Sequence, residues 1–211
     1  MSIRLKQVIP HPLSEEYLQT SSIWGEDLYW ETGDFIQIEA QSGKGKSTLL
    51  HIIYGLRFDY DGAYELAGET ASSFSTEKWR ALWINQLSLV FQDLRLFNHL
   101  TARQNLELLP EVHSPELNLL EMCEKLTVDH LLDQPVDKLS LGQRQRFALV
   151  RSLLKPFKWL LLDEPFSHLD KENAEKAAKL IEHTARLRNA GVIFTSLTSS
   201  CPLHFNHSIP L

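Results

Sequence analysis

Hydrophobic positions along the chain follow two different repeats. Apolar and polar residues alternate at positions 2–8 and 35–40, and this alternation predicts strands. A continuous apolar run occupies positions 159–162, and short segments at 87–91 and 192–195 are also predicted to be buried strands. Such runs are typical of strands that are covered on both faces.

Helical spacing of apolar residues fills much of the chain between these strands. A helix is predicted from Ser47 to a stop at Gly55, and two more at positions 140–154 and 171–188. The leucine-rich positions 93–138 are also predicted to be helical. Strands that alternate with helices predict an α/β domain built on a largely parallel sheet.

Composition narrows the class of protein and its compartment. The chain has 211 residues, a net charge of −6 and two cysteines. No apolar run reaches the ~18 residues that a membrane-spanning helix needs, and the N-terminal residues lack the apolar stretch of a secretory signal. The acidic balance argues against nucleic acid as the main partner. Because the few cysteines fit a reducing compartment, we expect a cytoplasmic protein.

A loop rich in glycine, serine and lysine joins the strand at 35–40 to the next helix. This context predicts a phosphate-binding loop, whose backbone N–H groups wrap a β-phosphate at a helix N-terminus. Lys46 would reach the β- and γ-phosphates, and the Ser47 hydroxyl would bind Mg²⁺. Ala40 replaces the first glycine of the pattern G-x-x-x-x-G-K-[ST], and an ordinary turn before a helix is the alternative. The predicted nucleotide-binding residues of this loop are Ala40, Gln41, Ser42, Gly43, Lys44, Gly45, Lys46, Ser47 and Thr48.

Two adjacent carboxylates, Asp163 and Glu164, follow the apolar run at positions 159–162. Carboxylates at the end of a buried strand are costly unless a cation lies nearby, and bound Mg²⁺ would supply that cation. We expect Asp163 to hold the metal, through water, and Glu164 to polarise the attacking water. A strand-end turn that simply contains acidic residues is the alternative.

The helix predicted at positions 140–154 begins with the spacing of a capping box, because Gln143 follows Ser140 by three residues. Gly142 lies in the first turn, where bare backbone N–H groups can receive an anion. From physics alone, a well-capped helix without a ligand is the favoured interpretation.

Four segments occur along the chain in the order AQSGKGKSTLL, VFQD, LSLGQRQRFALVRSLL and LLLDEPFSHLD. With this order and spacing they resemble the ATPase cassettes of ABC transporters over essentially the whole chain, and LSLGQ is similar to the family signature LSGGQ. The resemblance implies a P-loop NTPase (RecA-like) core with a mostly parallel sheet, an N-terminal antiparallel β subdomain and a helical subdomain. It implies a single domain, 1–211, with its core at 1–92 and 140–211 and the helical subdomain at 93–139.

The resemblance also implies cofactors and partners. ATP and Mg²⁺ would be held in a head-to-tail homodimer or pseudo-homodimer, where Ser140, Gly142 and Gln143 of one chain face the γ-phosphate bound by Lys46 of the other. The cassettes would associate with an integral membrane permease, at the inner, cytoplasmic face of the cell membrane. Residues 90–108 look most like the small cassettes of lipoprotein-release, cell-division and macrolide-type exporters.

Four further residues take expected roles from the resemblance. Gln92 would contact Mg²⁺ and the attacking water, and would link the site to the membrane partner. Asp170 matches the loop that crosses the dimer interface, and Tyr17 lies where the family places an aromatic residue on adenine. Ser196 stands where the family has a histidine that touches the γ-phosphate.

Three hypotheses for the function remain open. The first is a transport motor that hydrolyses ATP. Its catalytic set would be Lys46, Gln92, Glu164 and Ser196. The second is a cassette that binds ATP but scarcely hydrolyses it, acting as a regulatory or structural switch, and the serine at position 196 favours it. The third is a cassette of DNA repair or translation, which the acidic charge and the lack of a long coiled-coil insertion argue against.

Overall fold

The computed structural model describes residues 1–11, 21–108, 117–197 and 201–211, and within them the chain forms two β-sheets with helices packed against them. The strands are β1 (Ser2–Pro10), β2 (Asp27–Glu31), β3 (Phe35–Glu39), β4 (Tyr60–Leu66), β5 (Glu69–Thr70), β6 (Leu87–Val90), β7 (Trp159–Asp163), β8 (Gly191–Ser196) and β9 (His207–Pro210). The helices are α1 (Lys46–Ile53), α2 (Thr76–Asn85), α3 (Ala102–Glu107), α4 (Leu119–Lys125), α5 (Leu141–Leu154) and α6 (Lys171–Leu187), with 3₁₀ turns at Ala71–Ser73, Asp129–Leu131 and Val136–Lys138. Across these ranges, no helix is both long and apolar enough to span a bilayer.

The larger sheet is parallel and has the strand order β6-β7-β8-β3-β9. Side chains of its central strands point alternately into two apolar cores. Leu160, Leu162 and Phe194 join the core formed with α5 and α6, whereas Leu161 and Ile193 join the core on the opposite face. Because both faces are covered, β7 is continuously apolar from Trp159 to Leu162.

The smaller sheet is antiparallel and has the strand order β2-β1-β4-β5. Its buried side chains, among them Ile3, Leu5 and Tyr64, belong to the same core as Leu49 and Leu50 of α1. The antiparallel sheet therefore covers the face of the parallel sheet that carries α1, and the predicted N-terminal antiparallel part is present.

The carboxyl ends of β3, β7 and β8 meet at one edge of the parallel sheet. The strand register places Asp163 beside Thr195, and Glu39 beside Ser196. The loop that follows β3 leaves from this same edge. Ligands of open parallel α/β sheets bind at such an edge, so the fold collects the predicted chemistry in one place.

The predicted strands and the three long predicted helices are present, with ends that agree within two residues. Positions 93–138 depart from the prediction, because their described part holds only the short helices α3 and α4 and two 3₁₀ turns. Their leucines, such as Leu94 and Leu132, are buried by turns that fold onto the core with α5. The sequence pattern did not predict β2 or α2. The division into a core at 1–92 and 140–211 and a helical subdomain at 93–139 stays a prediction.

Candidate functional site

The loop predicted to bind phosphate connects the carboxyl end of β3 to the first turn of α1. Gly43 and Gly45 have φ values of 83° and 94°, in the left-handed region that glycine adopts without a Cβ penalty. Gly45 is the N-cap of α1 and provides no side-chain cap. No side chain therefore caps the first backbone N–H groups of α1. These groups remain able to bind an anion at the helix N-terminus.

Lys46 is buried, with 5% of its surface exposed, and its ammonium group is engaged within this loop. Nζ donates to the carbonyl oxygens of Ala40 at 2.7 Å and Gln41 at 3.1 Å. It also forms an ion pair with Oε1 of Glu164 at 3.1 Å. The residue predicted to bind the phosphates and the residue predicted to polarise the attacking water thus contact each other directly.

Asp163 ends β7 and is buried, and its side chain is bonded to a residue of the next strand in the sheet. The Thr195 hydroxyl donates to Oδ1 of Asp163 at 2.9 Å and accepts from the backbone N–H of Glu164 at 3.2 Å. Thr195 itself is completely buried. This threonine, which sequence analysis did not identify, fixes the orientation of both carboxylate residues.

The backbone at Glu164 takes a conformation that is uncommon for a residue with a side chain. Its φ is 47°, in the left-handed region. The carbonyl of Glu164 accepts from Nε2 of Gln145 at 3.2 Å, so α5 holds the loop that follows β7. Glu164 therefore turns out of the line of the strand and towards Lys46, whereas Asp163 stays within the sheet edge.

A cavity of about 300 Å³ lies at the same edge, and all three predicted metal ligands line it. These are Ser47, Gln92 and Asp163. The cavity also has lining residues that sequence analysis missed. They are His51, Phe91, Asp93 and Arg95. Burial lowers the pKa of His51 below its usual value, although the carboxylate of Asp163 opposes the shift. The spacing of His51 one helical turn after Ser47 was the only sequence signal for its position.

The predicted signature segment forms a capping box at the start of α5. Ser140 accepts from the Gln143 backbone N–H at 3.3 Å, and the Gln143 side chain accepts from the Ser140 N–H at 2.8 Å. A Cβ on Gly142 would lie 2.7 Å from the carbonyl oxygen of His168. Gly142 is therefore required for close packing between the start of α5 and the loop after β7.

Two further predicted site residues, Asp170 and Ser196, are held by hydrogen bonds of their own. Asp170 is the N-cap of α6 and accepts from the Asn173 N–H at 2.8 Å, a bond that lowers the pKa of its carboxyl group. The Ser196 hydroxyl accepts from Nε2 of Gln37 at 3.2 Å, so it is bonded to the adjacent strand β3. Ser196 and Glu164 both line a second cavity of about 240 Å³.

The structure brings some predicted residues together and leaves others apart. Among the described residues, no hydrogen bond or ion pair joins Ser140, Gly142 or Gln143 to the loop residues Lys46 and Ser47. The signature segment and the phosphate loop are thus separate surfaces of one chain. The predicted adenine-stacking residue at position 17 lies outside the described residues.

This fold and site define a nucleotide-binding P-loop domain, because a parallel sheet presents a glycine-containing loop, a buried lysine and a buried carboxylate at one edge. The family described as "ABC transporter" matches residues 26–167, about two thirds of the chain. The chain therefore belongs to the ABC transporter family, as an ATP-binding and ATP-hydrolysing cassette.

Individual relatives agree with this assignment. The chain is 34% identical to the thiamine import ATP-binding protein ThiQ of Photorhabdus laumondii, over 81% of this chain and 72% of that protein. It is 37% identical to the bicarbonate transport ATP-binding protein CmpC of Synechococcus elongatus, but it spans only 24% of that protein's length. The dimeric structure of MJ0796, a bacterial ABC transporter cassette, matches with a TM-score of 0.79 and 26% identity, over 93% of this chain and 88% of that chain.

These comparisons confirm the predicted fold class and the predicted ATP-binding cassette. A post-hydrolysis structure of MJ0796 with ADP and Pi bound also matches, with a TM-score of 0.77. The small-exporter subtype is not confirmed, because sequence relatives such as ThiQ and the sulfate/thiosulfate protein CysA of Synechococcus elongatus are named for import.

Proposed function

We propose that this chain is the motor subunit of a transporter, in which ATP binding closes a cassette dimer and hydrolysis reopens it. One observation carries the proposal. Ser47, Gln92 and Asp163, which lie far apart in sequence, line a single cavity at the sheet edge. Lys46 and Glu164 lie at the same edge and contact each other. This is the set of groups that phosphoryl transfer to water requires.

The chemistry of the cavity fits Mg²⁺. A hydroxyl, an amide oxygen and a carboxylate are hard oxygen ligands, which Mg²⁺ prefers. Within the described ranges there is no cluster of three or more His, Cys, Asp or Glu side chains able to hold a metal alone. Mg²⁺ commonly takes only one or two carboxylates and completes its shell with phosphates and water, so Ser47, Gln92 and Asp163 are sufficient. When bound, the metal would neutralise charge on the phosphate oxygens.

Each residue has a distinct task in the proposed turnover. ATP phosphates would replace Glu164 as the partner of Lys46, because Lys46 lies in the first turn of a helix whose N-terminus has no side-chain cap and can receive an anion. The freed Glu164 carboxylate would then orient the attacking water and accept its proton. Thr195 keeps the Glu164 backbone in place during this change, since its bond is made to the backbone N–H and not to the carboxylate.

Slow hydrolysis is a second candidate property, and the surroundings of Ser196 favour it. Its hydroxyl is short and is bonded to Gln37 within the sheet. A preorganised donor to a developing phosphate charge contributes about 10²–10³ in rate, and this serine does not extend to supply one. The alternative function is therefore a cassette that closes on ATP and acts as a switch with little turnover.

A head-to-tail dimer follows from the separation of the two phosphate-facing surfaces. Ser140 and Gly142 have no bond to Lys46 in their own chain, so they would complete the site of a second chain. The MJ0796 cassette, which shares this fold, is dimeric. In the proposed dimer Asp170 lies at the interface, and two ATP molecules are enclosed between the chains.

The proposed partner outside the dimer is an integral membrane permease, and the proposed location is the inner face of the cell membrane. Relatives are named for transport of thiamine and of bicarbonate. Because thiamine and bicarbonate are chemically unrelated, these names do not indicate which substrate this chain's transporter would move. Co-purification with the membrane protein encoded by a neighbouring gene would test the association, and a chain recovered alone from that co-expression would contradict it.

The central experiment replaces Glu164 by glutamine. The amide retains the shape of the side chain but does not accept the proton, so we expect ATP binding to persist, turnover to stop and an ATP-dependent dimer to accumulate on gel filtration. Glu172→Gln is the matched control, because Glu172 is also paired with a lysine, at 2.7 Å, but on the exposed face of α6. Turnover of Glu164→Gln at the rate of the control would refute the proposed catalytic carboxylate.

A further inference from the structure

The loop that carries Gln92 contains an unusual run of backbone. Directly after β6, the N–H of Leu94 donates to the carbonyl of Phe91, and the N–H of Arg95 donates to the carbonyl of Asp93. Leu94 and Arg95 have φ values of 62° and 49°. Consecutive side-chain-bearing residues in the left-handed region are strained, and a three-residue turn around a positive φ is the rare form of that turn. Within the loop, the exposed Arg95 guanidinium bonds the Asp93 carboxylate at 2.8 Å, and a buried group outside the loop bonds the strained backbone itself.

Arg151, in the last turn of α5, bonds this backbone from outside the loop. Its Nη2 donates to the carbonyl of Leu94 at 2.7 Å, and its Nη1 donates to the carbonyl of Arg95 at 2.6 Å. One planar guanidinium therefore bonds the carbonyls of both strained residues at once, a geometry that its rigid fork favours. Burial lowers the pKa of the Arg151 side chain, because removing the charged guanidinium from water is unfavourable. The buried side chain of Leu94 anchors the same turn in the core.

The turn determines where the Gln92 side chain lies. Gln92 is the second residue of the four-residue turn from Phe91 to Leu94, so strand β6 fixes one end of the turn and Arg151 fixes the other. The first turn of α5 carries Ser140 as its N-cap. One helix thus joins the segment proposed to face the partner's ATP to the loop that faces this chain's own ATP.

We propose that Arg151 is a positioning residue that holds the strained loop so that Gln92 reaches the metal and water in the 300 Å³ cavity. The inference rests on the proposed function, because it needs Gln92 to act at that cavity. Arg151 contacts neither nucleotide nor metal. Its effect passes through the backbone of residues 94 and 95, and it should vanish where Gln92 has no side chain to position.

The test compares Arg151→Met with Arg188→Met. Arg188 is the matched control, because its guanidinium also bonds two consecutive carbonyls, those of Leu154 and Lys155, at the opposite end of α5 from the signature segment. We expect Arg151→Met to lower kcat about 10- to 100-fold, the range for a misplaced reacting group, with the KM for ATP within about twofold of wild type. The Mg²⁺ concentration for half-maximal turnover should rise several-fold. Arg188→Met should keep wild-type kcat and Mg²⁺ dependence, whatever stability it loses.

Two further variants separate positioning from general stability. Arg151→Lys keeps one cationic donor and should recover part of the lost kcat, and it carries the comparison if Arg151→Met does not fold. In a Gln92→Ala background, Arg151→Met should cause no additional loss, because residues that act as a unit are not additive. An equal loss in both backgrounds, or Arg151→Met turnover equal to that of Arg188→Met, would overturn the inference.

Failure of the inference is distinct from failure of the proposed function. If Gln92→Ala lowers turnover but Arg151→Met leaves it unchanged, only the role of Arg151 is overturned. If wild-type turnover does not depend on Mg²⁺ and is unchanged by Gln92→Ala, the proposed role of the cavity is overturned and the inference falls with it.

Discussion

Replacing Thr195 by valine tests whether one buried hydroxyl fixes the two carboxylate residues. Valine retains the branched shape of threonine in β8 but removes the group that donates to Asp163 and accepts from the Glu164 N–H. Thr195→Ser is the control, because it retains the hydroxyl and loses only a methyl group.

The expected loss of unfolding free energy follows from the hydrogen bonds and the methyl group that each substitution removes. Valine deprives the buried Asp163 carboxylate of a donor at 2.9 Å, and such a bond to a charged group contributes about 1.5–3 kcal/mol. The Glu164 N–H also loses its acceptor, which adds about 1 kcal/mol. Thr195→Ser should lower the free energy of unfolding by about 1 kcal/mol, because it removes one buried methyl group. We therefore expect Thr195→Val to be less stable than Thr195→Ser by about 1.5–3 kcal/mol.

Urea unfolding with parallel measurement of ATP turnover would check this expectation. Thr195→Val should also lose turnover at urea concentrations where it remains folded, since Glu164 is no longer held by its backbone. Thr195→Ser should retain most of its turnover. If the two variants unfold at the same urea concentration, the hydroxyl does not carry the stabilisation, and the argument from its two bonds is wrong.

Three other predictions follow from the same site. Ser196→His should raise a slow wild-type turnover at least several-fold, with Leu197→His as the control, and an unchanged rate in both would contradict the explanation for slow hydrolysis. Ser140→Arg should inactivate the homodimer yet regain activity when mixed with Lys46→Ala chains, because one composite site is then intact; a fully active Ser140→Arg homodimer would count against that site. Burial lowers the pKa of Lys155 to about 8 from 10.5, so the unfolded state binds more protons between those values and stability should rise with pH there. Lys155→Met should flatten that rise in unfolding curves, and an unaltered rise would exclude Lys155 as its source.

Local chemistry explains why parts of the site could be predicted from the sequence. The capping box needs only Ser140 and Gln143 three residues apart, and it forms as the spacing predicts. The glycines of the phosphate loop take left-handed φ values because no other residue does so at low cost. Such features depend only on residues that are close in sequence, so they can be predicted from a single amino-acid sequence.

The residues that were missed depend on contacts between distant segments. Thr195 fits its strand as any β-branched residue does, and only the register with β7 places its hydroxyl beside Asp163. Arg151 is one of several basic residues on α5, and nothing local relates it to a loop more than fifty residues earlier. The left-handed backbone of Glu164 is likewise set by its surroundings, because glutamate rarely adopts it unaided.

Secondary structure was missed where few side chains are buried. Helix α2 buries only Trp79 and Leu82, which is too sparse a pattern to indicate a helix. Strand β2 has Trp30 as its single fully buried residue, so its alternation is weak. Both elements owe their conformation to the sheet and the aromatic side chains on which they pack.

The ion pair between Lys46 and Glu164 gives the chain an internal competitor for its own nucleotide. The Glu164 carboxylate is already paired with the Lys46 ammonium that the phosphates would bind. Measured ATP affinity therefore reflects the difference in binding free energy between the phosphates and this carboxylate at Lys46. Glu164→Gln removes this competitor as well as the catalytic base. Tighter ATP binding by that variant would then have two origins, and a nucleotide titration under conditions where neither protein turns over would separate them.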